Sequence, residues 1–213
     1  ISWKDVAVLC RKRKSFAQLE KEFTFSQIPF SVIGGKGFYQ RQLVFDVYSY
    51  FSFLLNKEDD TALIAILRSP FFSLSDSMLY EISLEDGPYF YFKLKKYAET
   101  NPLIKKVYDQ LSENLALANT YGIINLLRKI TTESGYISVY SARQNGEQEF
   151  ANYQKLVNLS ATFIGNGYKN LYDYVNFLKD AIEKIEGEGQ PVPLDDKDSV
   201  KIMTIHQAKG LEF

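Results

Sequence analysis

The chain has 213 residues, enough for one large or two small domains, and 46% of them are hydrophobic, enough for a substantial core. Its 25 Lys and Arg against 26 Asp and Glu give a net charge of −1, which excludes nucleic-acid binding by bulk positive charge and requires any such contact to come from a local patch. The single cysteine, Cys10, excludes an intrachain disulfide, and no apolar run approaches the roughly 18 residues of a membrane-spanning helix.

Val6 to Cys10 is a short continuous apolar run, the pattern of a strand buried in a parallel sheet. Ser15 can cap a helix on which Phe16, Leu19 and Phe23 recur at helical spacing. Ile28-Pro29 ends that helix, and Phe30 to Ile33 reads as a second strand followed by the turn Gly34-Gly35-Lys36-Gly37. Leu43, Val47, Tyr50, Phe51 and Leu54 mark the next helix, so the opening reads strand–helix–strand–helix, the repeating unit of an α/β sheet.

After the polar break at Asn56 to Asp60 the strand signals nearly vanish. Helices are expected from Asp60 through Leu67, after a Ser75 cap, and after Asn101-Pro102, with Pro at the first helical position. Further stripes run through Ile123, Leu127 and Ile130, through Phe150, Tyr153, Val157 and Ser160, and through Leu171, Tyr174, Val175, Leu178, Ile182 and Ile185. Tyr136 to Tyr140 alternates weakly and reads as a loop or an extended piece. Glu186 to Asp198, with two Gly, two Pro and clustered acids, reads as a mobile linker, and the strand pattern returns at Val200. The expected fold class is therefore α/β: a partial parallel sheet interrupted by an all-helical insertion, with residues 1–57 and 197–213 forming the sheet-bearing part and 58–196 the insertion.

His206 is the only histidine, which removes any His-rich metal site and leaves a Ser-His-Asp arrangement only if His206 itself serves. It stands three residues before Lys209 and six before Glu212, at the junction of a strand and a polar turn, where α/β proteins place ligand-binding groups. Arg11-Lys12-Arg13-Lys14 is the densest positive run and follows the first strand; it is either a solvated loop or a contact for a phosphate backbone, with Arg41 and Arg68 as lesser candidates. The Gly34 to Gly37 turn lacks the G-x-x-x-x-G-K-[ST] spacing of a phosphate loop. The clusters Glu58-Asp59-Asp60 and Asp195-Asp196-Lys197-Asp198 are explained by a helix cap and a solvated hinge, and no metal site is expected.

The decapeptide Thr204-Ile205-His206-Gln207-Ala208-Lys209-Gly210-Leu211-Glu212-Phe213 resembles motif V of the UvrD/Rep/RecB group of DNA helicases, T-x-H-x-x-K-G-L-E-F. Asp5 to Arg11 is similar to the D-[IV]-A-[IV]-L-x-R strand of the family's second RecA-like domain. Ile28-Pro29-Phe30, Gly34-Gly35 and Phe38-Tyr39-x-Arg41 resemble its G-I-P-[YF]-x-x-x-G-G-x-x-F-[FY]-x-R segment, with Gln27 in place of the common Gly and Leu43 where Glu is frequent. Leu67 to Asp76 is similar to a stretch typical of the RecB/AddA helicase–nuclease branch.

The resemblance implies an ATP-driven motor moving 3′ to 5′ on single-stranded DNA and unwinding duplex, in DNA repair or recombination, and a cytoplasmic location. It implies that Thr204, His206 and Lys209, with Arg11 and Arg13, contact DNA, and that Gly210 and Glu212 face the nucleotide. The parent's cofactors would be ATP and Mg²⁺; its partners would be DNA, the other RecA-like domain of the same chain and a partner subunit of a helicase–nuclease complex. The sequence shows no Walker A loop, no D-E-x-x pair and no Arg-rich motif VI, so no catalytic residue is expected here and the piece alone should be inactive. The chain opens without Met and closes one residue after Glu212, which reads as a segment of a longer protein. A UvrD/Rep-type repair helicase without a nuclease, and a non-catalytic helicase-like scaffold, stand as alternatives.

Overall fold

A computed structural model describes residues 2–33, 38–142, 146–167, 170–183 and 198–209. Strand β1 (Ala7–Cys10) leads to helix α1 (Phe16–Phe25) and strand β2 (Phe30–Val32). Helices follow: α2 (Gln42–Leu55), α3 (Asp60–Arg68), α4 (Asp76–Ser83), α5 (Phe90–Tyr97), α6 (Pro102–Leu117), α7 (Ile123–Glu133), α8 (Tyr136–Ser141), α9 (Gly146–Gly165) and α10 (Leu171–Glu183). The chain then returns to a strand, β3 (Val200–Thr204), and one helical turn, α11 (Ile205–Ala208).

The three strands form a parallel sheet in the order β1-β3-β2. The last strand thus lies between the first two, with Ala7 opposite Lys201, Cys10 opposite Thr204 and Val32 opposite Ile202. Its ladder extends on both sides: Lys201 N–H donates to Val6 O at 3.1 Å, and Ile33 N–H donates to Ile202 O at 2.8 Å. Because side chains alternate along a strand, Val8, Cys10, Ile202 and Val32 fall on one face, where Phe16, Leu19 and Phe23 of α1 cover them. This is the expected α/β class, a small parallel sheet within a mostly helical chain.

Helix α1 ends in a Schellman arrangement. Ile28 N–H donates to Phe23 O at 2.8 Å and Gln27 N–H to Thr24 O at 3.2 Å, with Gln27 at φ 55°. That left-handed conformation suits glycine, the residue common at this place in the resembling family, so the Gln departure carries a local cost of about 1 kcal/mol.

Helices α2 to α10 share one large apolar cluster. Helix α2 packs on α3, α9 and α10, and its buried residues, among them Leu43, Val47, Tyr50, Phe51 and Phe53, sit in the helical cluster. A helix apolar on most of its circumference is satisfied by burial among helices rather than on one sheet face.

The expected starts hold because side chains satisfy the first-turn amides. Asp59 accepts from Ala62 N–H at 2.9 Å, Ser75 from Met78 N–H at 3.2 Å, and Asn101 from Leu103 and Ile104 N–H at 3.0 and 3.2 Å. Asp60 instead accepts from Phe90 N–H at 2.6 Å, tying α3 to the start of α5, a helix the sequence did not announce.

Tyr136 to Tyr140 is the clearest correction: it is helical, not extended. The weak alternation came from Ile137 and Val139, while the decisive spacing is the i, i+4 pair Tyr136 and Tyr140, whose rings stack at 4.6 Å. Both hydroxyls turn to Asp46 Oδ2 of α2, at 2.7 and 3.4 Å, and Gln42 Nε2 donates to Oδ1 at 2.7 Å, so the buried carboxylate fastens α8 to α2. The Gly34 to Gly37 turn and the linker from Glu186 as far as residue 197 lie outside the described residues. Asp198 accepts from Lys4 N–H at 2.8 Å, joining the start of β3 to the chain ahead of β1.

Candidate nucleic-acid interface

The register of the sheet decides which side chains share an edge. β1 and β3 end level with one another, Cys10 opposite Thr204, so the segments beginning at Arg11 and at Ile205 leave the same carboxyl end side by side. α11 lies against both strands. This is the end of an open α/β sheet at which ligands bind.

On the β1 side, Arg11, Lys12 and Lys14 are exposed, and Arg13 opens a short 3-10 turn, Arg13–Ser15, that feeds into α1. On the β3 side, His206 and Lys209 are exposed and Thr204 is buried. Among the described residues, Arg11, Lys12, Lys14 and Lys209 have no ion-pair partner. Lys12 and Lys14 were legible as part of the basic run but not singled out.

The lesser arginine candidates are already engaged. Arg41 Nη2 lies 3.2 Å from Glu20 Oε2, partly buried, and Arg68 Nε lies 3.0 Å from Asp76 Oδ1 at the surface. Gly210 and Glu212 lie outside the described residues, as does the side chain of Arg13. Arg11, Thr204, His206 and Lys209 are brought to one edge. An edge of exposed cations and an imidazole can donate hydrogen bonds to phosphate oxygens without reading base identity. Among the described residues there is no group of three or more His, Cys, Asp or Glu that would hold a metal ion, and no helix is long and apolar enough to cross a membrane.

A family model of the UvrD-like helicase C-terminal domain matches residues 1–213. The chain is similar to the A subunit of the ATP-dependent helicase/nuclease of Lactobacillus delbrueckii subsp. bulgaricus, 31% identical over 219 residues, and to that of Lactobacillus helveticus, 28% over 219 residues. Against the protein of the same description from Staphylococcus haemolyticus it is 26% identical over 222 residues. Each match covers 100% of this chain and 18% of the relative, so the chain spans under a fifth of the curated relatives' length.

Proposed function

The chain belongs to the UvrD-like helicase C-terminal domain family, and from that premise we propose that it serves as the second RecA-like portion, with its helical insertion, of an ATP-dependent DNA helicase–nuclease subunit. The observation that supports the reading is the central place of β3, whose carboxyl end, leading to Thr204, His206 and Lys209, lies level with the end of β1 from which Arg11 leaves. In this reading residues 1–57 and 197–213 form the motor portion and 58–196 the insertion. The burial of α2 among the helices makes the junction between them a shared packed surface rather than a bare linker.

The edge binds the sugar-phosphate backbone of single-stranded DNA through Arg11, Arg13, Lys209 and His206. Thr204, buried in this structure, reaches the strand only if the edge opens. Phosphate contacts of this kind hold the strand in register and tolerate any sequence, as a translocating motor requires. Glu212 takes a nucleotide ribose, since a carboxylate accepts from sugar hydroxyls and is repelled by phosphates, and Gly210 shapes the turn between. ATP and Mg²⁺ are held chiefly by the other RecA-like domain: this sequence has no phosphate cradle of the G-x-x-x-x-G-K-[ST] form, and no chemical step is assigned to its residues. The relatives' description as the A subunit of a helicase/nuclease supports a nuclease in the parent, together with a partner subunit. It favours this reading over a nuclease-free repair helicase or an inactive scaffold. The proposed location is cytoplasmic.

The test is the salt dependence of single-stranded DNA binding by the intact protein. Arg11→Ala with Arg13→Ala should weaken binding and flatten the slope of log K against log salt by about 0.7 for each phosphate that is no longer neutralised. An unchanged slope returns the run to a solvated loop. In the same protein Glu212→Ala should lower DNA-stimulated ATP turnover; unaltered turnover removes the nucleotide-facing role.

A further inference from the structure

The C-terminal half of α9, helix α10 and Tyr39 line a cleft of about 510 Å³. Its floor is aromatic. Phe163 and Phe177 lie 5.0 Å apart between ring centroids, and Tyr39 meets Phe177 at 6.3 Å with the rings nearly perpendicular. Its rim is acidic and amidic, with Asp173 and Asp180 on α10 and the primary amides of Asn166 and Asn176. Asp173 and Asp180 are seven residues apart, two helical turns, which sets them on one face roughly 10 Å apart along the axis. Asp173 is half occupied locally, accepting from Asn170 Nδ2 at 2.7 Å. Asp180 is exposed and has no ion-pair partner among the described residues. No Lys or Arg among the described residues lines the cleft.

We propose that this cleft binds an arginine side chain presented by a partner polypeptide. Three features select that occupant. Phe177, the half-buried ring of the three, attracts a flat cation, and guanidinium stacks on an aromatic ring better than a strongly hydrated ammonium does. The carboxylates on the rim supply the countercharge. The amides of Asn166 and Asn176 each donate and accept, matching the peptide groups on either side of such an arginine. The cleft is lined by acids and amides where the sheet edge carries cations, so it selects a cationic protein segment and the edge an anionic strand.

The experiment is saturation-transfer NMR on the intact protein that carries this chain, with the blocked peptide acetyl-Ala-Arg-Ala-amide as probe and its citrulline isostere as the neutral control. The arginine peptide should receive saturation at its side-chain methylenes, and the citrulline peptide should receive far less. Asp180→Asn, a change at an exposed site that preserves the fold, should weaken the arginine peptide about three- to fivefold. Asp109→Asn, an exposed carboxylate elsewhere, should change nothing, with thermal melting confirming both variants folded. Equal transfer to both peptides, no transfer to either, an unaffected Asp180→Asn, or an equal loss in Asp109→Asn overturns the proposal. Methylguanidinium binding as tightly as the peptide overturns the polypeptide assignment and leaves a site for a small cation.

Discussion

Replacing Tyr136 with Phe removes one hydroxyl from a buried, charged contact in the helical body. That hydroxyl donates to Asp46 Oδ2 at 2.7 Å, and both residues are buried. A hydrogen bond to a charged group contributes about 1.5–3 kcal/mol, and a buried acceptor that loses its donor costs the upper part of that range. Tyr140 shares the same oxygen but at 3.4 Å, near the limit of a useful contact, so it does not take over. Tyr136→Phe should therefore lower stability by about 2–3 kcal/mol, roughly 4–12 °C in Tm for a chain of this size. Urea unfolding followed by circular dichroism measures the loss, and a double-mutant cycle with Asp46→Asn isolates the pair. The coupling of Asp46 to Tyr136 should exceed its coupling to Tyr140 by about 1 kcal/mol or more. A Tyr136→Phe variant within about 0.5 kcal/mol of wild type, or equal couplings, would refute the assignment of this carboxylate as the fastener of α8 to α2.

Burial raises the phenol of Tyr50, Tyr91, Tyr136 and Tyr174 above its usual value, with Asp46 adding to the shift at Tyr136. A raised folded-state value means full stability below the unfolded value of about 10 and loss as pH climbs past it, at about 1.4 kcal/mol per pH unit for each tyrosine. Urea midpoints should fall steeply above pH 10, and Tyr174→Phe should flatten that fall; a flat profile would show these rings open to solvent. Gln27→Gly should stabilise the chain by about 0.5–1 kcal/mol by relieving the left-handed Gln27, and a loss in urea unfolding would deny the Schellman geometry. Gly146→Ala should destabilise it by more than about 1 kcal/mol, since a Cβ there would stand 1.8 Å from Ser141 O; a neutral effect would show that this close approach to Ser141 yields. Limited proteolysis should cut first between Glu186 and Asp198, the stretch least able to bury apolar surface; protection there would mean that the acidic linker is packed.

The sequence was most legible where two independent signals coincided. Asp59, Ser75 and Asn101-Pro102 each placed a cap directly ahead of an apolar stripe, and α3, α4 and α6 begin there. It was least legible where a period was short or shared. Six residues of α8 give barely two turns, and β-branched Ile137 and Val139 imitate a strand. α2 was read correctly as a helix, but a stripe does not say whether a sheet or other helices will cover it. Motif spacing placed Thr204, His206 and Lys209 at a strand end. What it left unstated was that Thr204 is buried and that β1, the strand ahead of Arg11, is the neighbour of β3. The aromatic cleft was invisible for a related reason: Tyr39, Phe163 and Phe177 come from distant parts of the chain, and nothing local in the sequence joins them.

The central position of β3 also fixes an order of events during synthesis. β1 and β2 leave the ribosome early but are not neighbours, and each pairs with β3. The bond from Lys4 to Asp198 closes a loop of 194 residues. At about 5–20 residues per second, the two early strands wait roughly 10–40 s for their common partner. During that wait their edges are open to any other strand in the cell. The helical body is complete before β3 emerges, and by folding first it would draw the two ends of that long loop together. The helical body would then act as the jig on which the sheet is assembled, and a variant that slows the helices would show itself as strands that pair with the wrong molecule.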